Sequence, residues 1–167
     1  MQICILRHPA TVHCRRWAVA FASREHTVQV AYFEGDLDTW EPLPPFPDLE
    51  EAGVTVEMLP IRRTGSVLAR EVERQLVKLP FLNPYNAVRV AALRGFLERI
   101  QPDVLHSLGL DYYGYWGARS GFRAHLATAL GSDIAEPGMG RAQRRRLAVA
   151  CGASCVHLHD NLGRQRL

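Results

Sequence analysis

The stretch "QICILRHPATVHCRRWAVAFASREHTVQVAYF", residues 2–33, decides the fold class. It begins and ends with short apolar runs, Gln2–Leu6 and Thr27–Phe33, that lack a strict alternation of polar and apolar residues. Such runs are typical of strands buried on both faces of a parallel sheet. Four residues between them recur at helical spacing: Cys14, Trp17, Ala18 and Phe21. The stretch therefore predicts a strand, a helix and a second, parallel strand.

The same pattern continues along the chain. Further apolar runs of this kind are Val54–Leu59, Asp103–His106, Leu126–Leu130 and Ser154–Leu158. Helical patterns occupy residues 90–100 and 141–150. Strands that alternate with helices imply right-handed crossovers and an open sheet covered on both faces. We therefore expect an α/β fold, a Rossmann-like, doubly wound, mostly parallel sheet of about six strands in the order 3-2-1-4-5-6, flanked by helices.

The size and composition are those of one globular domain. The chain has 167 residues, of which 47% are apolar and 22% charged, and this length suits a single core rather than two. No apolar run approaches the roughly 20 residues that span a bilayer, and the N-terminus has too short an apolar core for a signal peptide. We expect a single Rossmann-like domain over residues 1–167, located in the cytoplasm.

Charge is distributed unevenly along the sequence. Seven of the 17 acidic residues, and none of the 20 lysines and arginines, lie in the proline-rich segment Glu34–Gly53, where we expect an exposed loop. The rest is basic, and one predicted helix carries four arginines: Arg141, Arg144, Arg145 and Arg146. This cluster is either a solvated helix face or a peripheral contact with the inner face of a membrane. No aromatic residue interleaves it, and we expect no nucleic acid partner.

Three common kinds of site lack support in the sequence. No G-x-G-x-x-G follows the first strand and no G-x-x-x-x-G-K-[ST] occurs, so neither a dinucleotide site nor a nucleotide triphosphatase is indicated. Four cysteines without an export signal predict reduced and mostly buried thiols rather than disulfides. Cys155, His157 and His159 alternate as ligands on a strand would, but a fourth ligand is not identifiable, so we expect no metal.

Polar residues follow the predicted strands where a ligand crevice would form. In an open α/β sheet that crevice lies beyond the C-terminal ends of the strands, near the point where the strand order reverses. Some candidates follow the first and fifth strands, and one ends the fourth. The candidate binding residues are His13, Arg16, His106, Gly131, Ser132 and Asp133.

Each candidate also has a purely structural alternative. His13, with Arg16 one turn beyond it, can lie on the surface near a helix start. His106 can hydrogen-bond to neighbouring backbone. Ser132 and Asp133 can cap or turn the chain after the strand.

Three motifs occur in order along the chain. They are a histidine followed three residues later by Arg-Trp at 13–17, the strand "PDVLH" at Pro102–His106, and a Gly-Ser-Asp at Gly131–Asp133. The stretches around them, "HPATVHCRRWAVAFASREHTVQVAYF", "LRGFLERIQPDVLHSLGLDYYGYWGARSG" and "HLATALGSDI", resemble the N-terminal half of group 1 glycosyltransferases with the two-domain GT-B architecture.

The resemblance implies transfer of a sugar from a nucleotide-diphosphate sugar to an acceptor, with retention of configuration and without a bound metal. In that family the N-terminal domain mainly holds the acceptor, and a second domain holds the donor, so no cofactor is implied for this domain. The acceptor is a sugar, a lipid or a small molecule. The family's paired donor-site glutamates do not occur here, and we expect a chain cut short before its donor-binding domain and inactive alone. The alternative is a non-catalytic module of the same fold that binds a partner or a membrane surface.

The chain departs from that family at three places. The loop "RHPATVH" has no glycine, which leaves donor contacts there in question. Leu130 stands where many relatives have a histidine near the reaction centre, so the catalytic residue is unassigned. Glu25 stands where relatives commonly place glycine after the first helix, and we expect a different turn there.

Overall fold

Six parallel strands form one sheet in the computed structural model, which describes residues 1–35, 45–61, 84–130 and 140–158. In chain order they are β1 Gln2–Leu6, β2 Thr27–Phe33, β3 Thr55–Leu59, β4 Val104–Leu108, β5 His125–Ala129 and β6 Cys155–Leu158. Their order across the sheet is β3-β2-β1-β4-β5-β6, and every neighbouring pair is parallel. The predicted fold class and strand order are confirmed.

Helices connect the strands and cover the sheet. The described helices are α1 Val12–Ala22, α2 Pro47–Glu51, α3 Pro84–Ile100, α4 Tyr115–Ser120 and α5 Arg141–Ala153. A π-helical turn, Leu110–Gly114, precedes α4. Within the described ranges, no helix combines the length and apolar character needed to cross a membrane.

The two faces of the sheet form separate apolar layers. On one face Ile5 and Val30 pack in a cluster with Ala18 of α1. On the other face Leu6 packs in a cluster with Leu93 of α3. Because successive strand residues point to opposite faces, burial of both faces explains why the strand sequences do not alternate.

The predicted end of the fourth strand is wrong. β4 continues past His106 to Leu108, because Ser107 and Leu108 pair with Ala127 and Thr128 of β5. The serine interrupts the apolar run in the sequence, but its hydroxyl is hydrogen-bonded inside the core. A satisfied hydroxyl is tolerated in a buried strand, so the polar residue does not end it.

The acidic proline-rich segment is not a loop throughout. Pro47–Glu51 forms α2, with Pro47 in its first turn and Leu49 fully buried. Proline suits a first turn because the N–H that it lacks has no partner there. The prediction of a loop is therefore wrong for these residues, and residues 36–44 lie outside the described part of the chain.

A left-handed turn ends α1 at Glu25, whose φ is 62°. The Glu25 N–H donates to the Ala22 carbonyl at 2.9 Å, and the His26 N–H donates to the Phe21 carbonyl at 3.3 Å. These two bonds form a Schellman cap, in which the left-handed residue is usually glycine. The expectation of a different turn is wrong, since glutamate adopts the left-handed conformation here.

Candidate functional site

The strand order reverses between β1 and β4. β2 and β3 lie on one side of β1, and β4, β5 and β6 lie on the other. A ligand crevice in an open α/β sheet forms at such a reversal, beyond the C-terminal strand ends. Two segments border this position, the loop 7–11 after β1 and residues 109–113 after β4, which include most of the π-helical turn. We call this position the β1–β4 crevice.

Arg7 connects the two borders of the β1–β4 crevice. Its Nη1 donates to the Leu108 carbonyl at 3.0 Å, and its Cζ lies 4.8 Å from the centre of the Tyr113 ring. Its backbone N–H donates to the Ala31 carbonyl at 3.0 Å. The half-buried Arg7 thus places a positive charge at the end of β4.

His8 is fixed in the loop before α1 and is 4% exposed. Its Nδ1 accepts the Ala10 N–H at 3.2 Å, and its ring meets that of Tyr32 edge-on at 4.9 Å between centres. Burial, and then the charge of Arg7, lower the pKa of His8. The ring is therefore neutral at pH 7, and because Nδ1 accepts, the proton lies on Nε2. His8 is thus a hydrogen-bond donor at Nε2.

The first turns of α1 bring two of the predicted binding residues together. His13 is half-buried and Arg16, three residues along the helix, is exposed. Thr11 precedes the helix, but its hydroxyl donates to the His8 carbonyl at 2.9 Å instead of capping the helix. The N–H groups of a first helical turn have no partner within the helix, so they can donate to a hydroxyl or an anion.

His106 does not face the β1–β4 crevice. It is the middle residue of β4 and is fully buried. Its Nε2 is 2.7 Å from the Thr128 hydroxyl, and Trp17 and Phe21 of α1 cover its ring at 5.1 and 5.8 Å between centres. This placement corrects the expectation that His106 ends its strand beside a ligand, because the strand is longer than predicted.

The third group of predicted residues, Gly131, Ser132 and Asp133, lies outside the described residues and remains a prediction. The preceding residue, Leu130, is buried and follows β5 directly. Because parallel strands end at the same edge of the sheet, Leu130, the last described residue after β5, lies at the same edge as the crevice.

An ion pair with α5 fixes the loop that follows β4. Arg146 Nε is 2.5 Å from Asp111 Oδ1 and Nη2 is 3.3 Å from Oδ2, and the Arg146 Cζ lies 4.4 Å from the Tyr112 ring centre. Burial lowers the pKa of Arg146, but the hydrogen bond and charge of Asp111 outweigh it, so the net pKa is raised. The other members of the predicted cluster are exposed: Arg141, Arg144 and Arg145. The predicted cluster therefore consists of one arginine that is ion-paired, Arg146, and three that are exposed.

A buried chain of hydrogen bonds joins β4, β5 and the residue after α5. Ser107 Oγ is 2.8 Å from His125 Nε2, and Ser154 Oγ is 2.6 Å from His125 Nδ1. Burial lowers the pKa of His125 to about 4, so the ring is neutral at pH 7. Because both ring nitrogens are bonded to hydroxyls and the side chain is buried, His125 has a structural role.

Two of the cysteine thiols are buried, Cys4 and Cys14, and two are exposed, Cys151 and Cys155. All four cysteines are unpaired, which confirms the prediction of free thiols. The first two are buried as predicted, but the prediction of burial is wrong for Cys151 and Cys155. Burial raises the pKa of Cys14 to about 12, against the opposing charges of Arg7 and Arg15. In the described ranges no group of three or more His, Cys, Asp or Glu side chains could hold a metal ion.

Comparison with solved structures identifies a protein similar to this chain, the UDP-GlcNAc 2-epimerase from Methanocaldococcus jannaschii. The TM-score is 0.53 at 9% sequence identity, over 99% of this chain and 41% of that chain. At this identity the similarity shows the fold alone, and this chain spans well under half the length of the neighbour. No protein-family model and no curated protein matches the sequence.

Arg7 and His8 lie at the strand reversal but are not among the six predicted binding residues, although the sequence held a signal for both. They are the first residues after the apolar run of β1, where the crevice rule places ligand contacts. The pairing of Arg146 with Asp111 had no such signal, because the two residues are 35 positions apart.

Proposed function

We propose that this chain is the acceptor-binding half of a retaining glycosyltransferase that uses a nucleotide-diphosphate sugar. The observation that carries the proposal is the reversal of strand order between β1 and β4, with Arg7, His8 and the start of α1 at the C-terminal edge of these strands. The motifs around His13 and at Pro102–His106 resemble those of group 1 glycosyltransferases and support a sugar-transfer function.

The structural neighbour supports a function with nucleotide sugars only in general terms. Its name denotes an enzyme that acts on UDP-GlcNAc, which is a nucleotide sugar. A chain that spans 41% of such an enzyme fits one half of a two-domain architecture. We propose that a second, donor-binding domain completes the site and that this chain alone does not catalyse transfer.

The chemistry of each crevice residue suggests its role. The Nε2–H of His8 would donate to an acceptor hydroxyl, and His13 with the first N–H groups of α1 would add further donors. Arg16 would contact the acceptor from the exposed side of α1. Gly131, Ser132 and Asp133 are proposed to contact it from the loop after β5. No metal or cofactor is assigned to this domain.

The catalytic residue of the proposed reaction stays unassigned. His8 carries its proton on Nε2 and accepts a bond at Nδ1, so the neutral ring has no free basic nitrogen. Leu130 occupies the position where many group 1 glycosyltransferases have a histidine. A group of the second domain, or of the donor itself, would then have to take the proton of the acceptor hydroxyl.

Titration of sugars and nucleotides against the backbone amide NMR signals tests the proposal. We expect acceptor sugars to shift the signals of residues 7–16 and 109–113 in a saturable way. His13→Ala should weaken that binding, whereas His26→Ala, which lies beyond the C-terminal end of α1, should not. Sugar-induced shifts confined to residues 141–146, with none at the crevice, would contradict the proposal.

The exposed arginines of α5 favour a second candidate function, a non-catalytic module that binds a partner or an anionic membrane surface. Arg141, Arg144 and Arg145 form no part of the β1–β4 crevice, and basic residues bind anionic lipid headgroups. Sedimentation with phosphatidylglycerol vesicles, compared with phosphatidylcholine vesicles, measures this binding. Binding to anionic vesicles that is lost when all three arginines are changed to Gln, together with no sugar binding, would favour this candidate.

A further inference from the structure

Tyr112 is an aromatic residue exposed on the β4 border of the β1–β4 crevice, on the side of α5. It exposes 47% of its surface. Among the residues whose burial is described, it is the only exposed phenylalanine, tyrosine or tryptophan. Because the ring carries most of a tyrosine's side-chain surface, the Tyr112 ring is accessible to a ligand at the edge of the sheet where the strand order reverses.

Two neighbours hold the ring of Tyr112 in place. The Cζ of Arg146 lies 4.4 Å from the ring centre, and Arg146 is itself fixed by its ion pair with Asp111, the residue before Tyr112. Trp116, which is 4% exposed, meets the ring at 5.6 Å between centres with 39° between the ring planes. A side chain that is already fixed loses little conformational entropy when a ligand packs on it, so this ring is preorganised for binding.

The backbone that carries Tyr112 is the π-helical turn, residues 110–114. The Gly114 N–H donates to the Gly109 carbonyl at 2.8 Å, and the Gly109 N–H donates to the Thr128 carbonyl of β5 at 2.8 Å. Gly109 has a φ of 102°, and a Cβ at residue 114 would lie 3.0 Å from the Gly109 oxygen, so both ends of the turn favour glycine. Single π-helical turns occur frequently at functional sites, and this one ties Tyr112 to the ends of β4 and β5.

We propose that Tyr112 is a stacking residue for the acceptor and that the part of the acceptor bound there is a pyranose ring. A pyranose has a flat face of C–H groups, which packs on an aromatic ring, and a rim of hydroxyls, which need hydrogen-bond partners. The inference rests on the proposed function and narrows its acceptor, because it selects a sugar over a lipid or a small metabolite.

The groups around Tyr112 suit a sugar ring better than an acyl chain. An acyl chain needs a continuous apolar surface to leave water, whereas the exposed ring lies next to two charged side chains, Asp111 and Arg146. Across the crevice, the Nε2–H of His8 and the first N–H groups of α1 would donate to the hydroxyls at the rim of the sugar. One aromatic face with hydrogen-bond donors opposite it matches the two surfaces of a pyranose.

Saturation-transfer NMR with the methyl β-glycosides of glucose, galactose and mannose tests the proposal. The full chain is produced in deuterated form except for its tyrosine rings, so that magnetisation reaches a bound sugar only from a tyrosine. We expect transfer to the C–H protons on one face of the sugar in the wild type, and its loss in Tyr112→Phe. Tyr113→Phe is the matched control, because it removes the neighbouring tyrosine, whose ring contacts Arg7, and it should keep the transfer.

Titration of the same glycosides against the backbone amide signals measures the affinity of each folded variant. Tyr112→Phe keeps the ring and should bind within about twofold of the wild type, whereas Tyr112→Ala should weaken binding about fivefold. Met58→Ala removes another exposed apolar side chain, on β3, and should leave the affinity unchanged. Sorbitol, an acyclic polyol without a ring face, should shift no signals at residues 109–113.

Two results would overturn the proposal. One is transfer that persists in Tyr112→Phe, or an affinity that is unchanged in Tyr112→Ala; if the alanine variant does not fold, the transfer in Tyr112→Phe decides alone. The other is an absence of glycoside-induced shifts at residues 109–113 of the folded wild type. Shifts at residues 7–16 without any at 109–113 would reject Tyr112 and retain the proposed function, whereas shifts at neither segment would reject both.

Discussion

Gly117 of α4 lies directly against the imidazole of His125 at the start of β5. A Cβ added at residue 117 would overlap the His125 ring and lie 2.6 Å from the Ser107 hydroxyl. The glycine therefore gives the buried hydrogen bonds of His125 the space that they need.

We expect Gly117→Ala to destabilise the protein by about 1–3 kcal/mol, the usual cost of overpacking a close-packed core. Urea denaturation followed by circular dichroism measures the change. Gly95→Ala is the matched control, since a Cβ there meets nothing within 4 Å on the exposed side of α3 and alanine favours a helix by about 1 kcal/mol. Two variants of equal stability would contradict the assigned contact.

The burial of His125 should make the protein less stable in acid. Burial lowers its folded pKa to about 4 from the usual 6.5, so the unfolded chain takes up the proton first as the pH falls. The contribution of neutral His125 to the free energy of unfolding is complete above pH 6.5. As the pH falls from 6.5 to 4, about 3 kcal/mol of this stabilisation is lost.

Urea denaturation at pH 7, 5.5 and 4.5 tests this dependence by comparing the wild type with His125→Gln. The variant should be less stable at pH 7 but should lose less stability on acidification. His8 contributes in the same direction, because its pKa is also lowered, so the difference between the two proteins is the decisive quantity. The same pH dependence of stability in His125→Gln as in the wild type would refute the prediction.

Much of the fold was predictable from the sequence because strands buried on both faces must be apolar along their whole length. β1 and β2 were predicted with the bounds that the structure has, since a charged residue, Arg7 or Glu34, follows each apolar run. β4 was predicted too short because Ser107 is polar, and nothing in the sequence reveals that its hydroxyl meets His125, which lies 18 residues away. A local sequence pattern indicates which residues are buried. It does not indicate the hydrogen bond to a distant residue that allows a hydroxyl to be buried.

The candidate site was predictable in its position and less so in its residues. The rule for open sheets led to the loop after β1, where Arg7 and His8 lie. The same rule selected His106 only because the strand end was misplaced by two residues. A side chain beyond the end of a strand borders the crevice, whereas one inside the strand packs in the core. An error of two residues in the predicted strand end therefore assigns a core residue to the crevice.

Glu25 is expected to cost the protein stability, because it occupies a left-handed position with φ 62°. We expect Glu25→Gly to raise the stability by about 0.5–1 kcal/mol, since glycine adopts this conformation without the steric cost of a Cβ. Thermal unfolding measures the gain. Glu25→Ala removes the same charge and keeps the Cβ, so a gain of similar size in that variant would show that charge, not backbone conformation, is responsible.

Removal of Arg146 should destabilise the loop after β4. Its side chain and that of Asp111 are only 18% and 19% exposed, so Arg146→Gln leaves a carboxylate with little access to water. We expect a loss of about 1–2 kcal/mol, between the values for surface and buried pairs. Arg144→Gln, an exposed change on the same helix, should cost less than about 0.5 kcal/mol. Equal urea midpoints for the two variants would contradict the structural role of Arg146.

His106→Leu distinguishes a structural histidine from a ligand-binding one. The substitution removes the partner of the Thr128 hydroxyl at 2.7 Å, and Thr128 is fully buried, so we expect a loss of about 1–3 kcal/mol. The double variant His106→Leu with Thr128→Val removes both polar groups and should recover part of that loss, because replacement of both partners by apolar groups is often nearly neutral. Sugar binding, measured by NMR titration of each folded variant, should stay at the wild-type level. A stable His106→Leu protein that no longer binds the sugar would instead show that this ring reaches the ligand and that the packing of α1 over β4 opens to allow it.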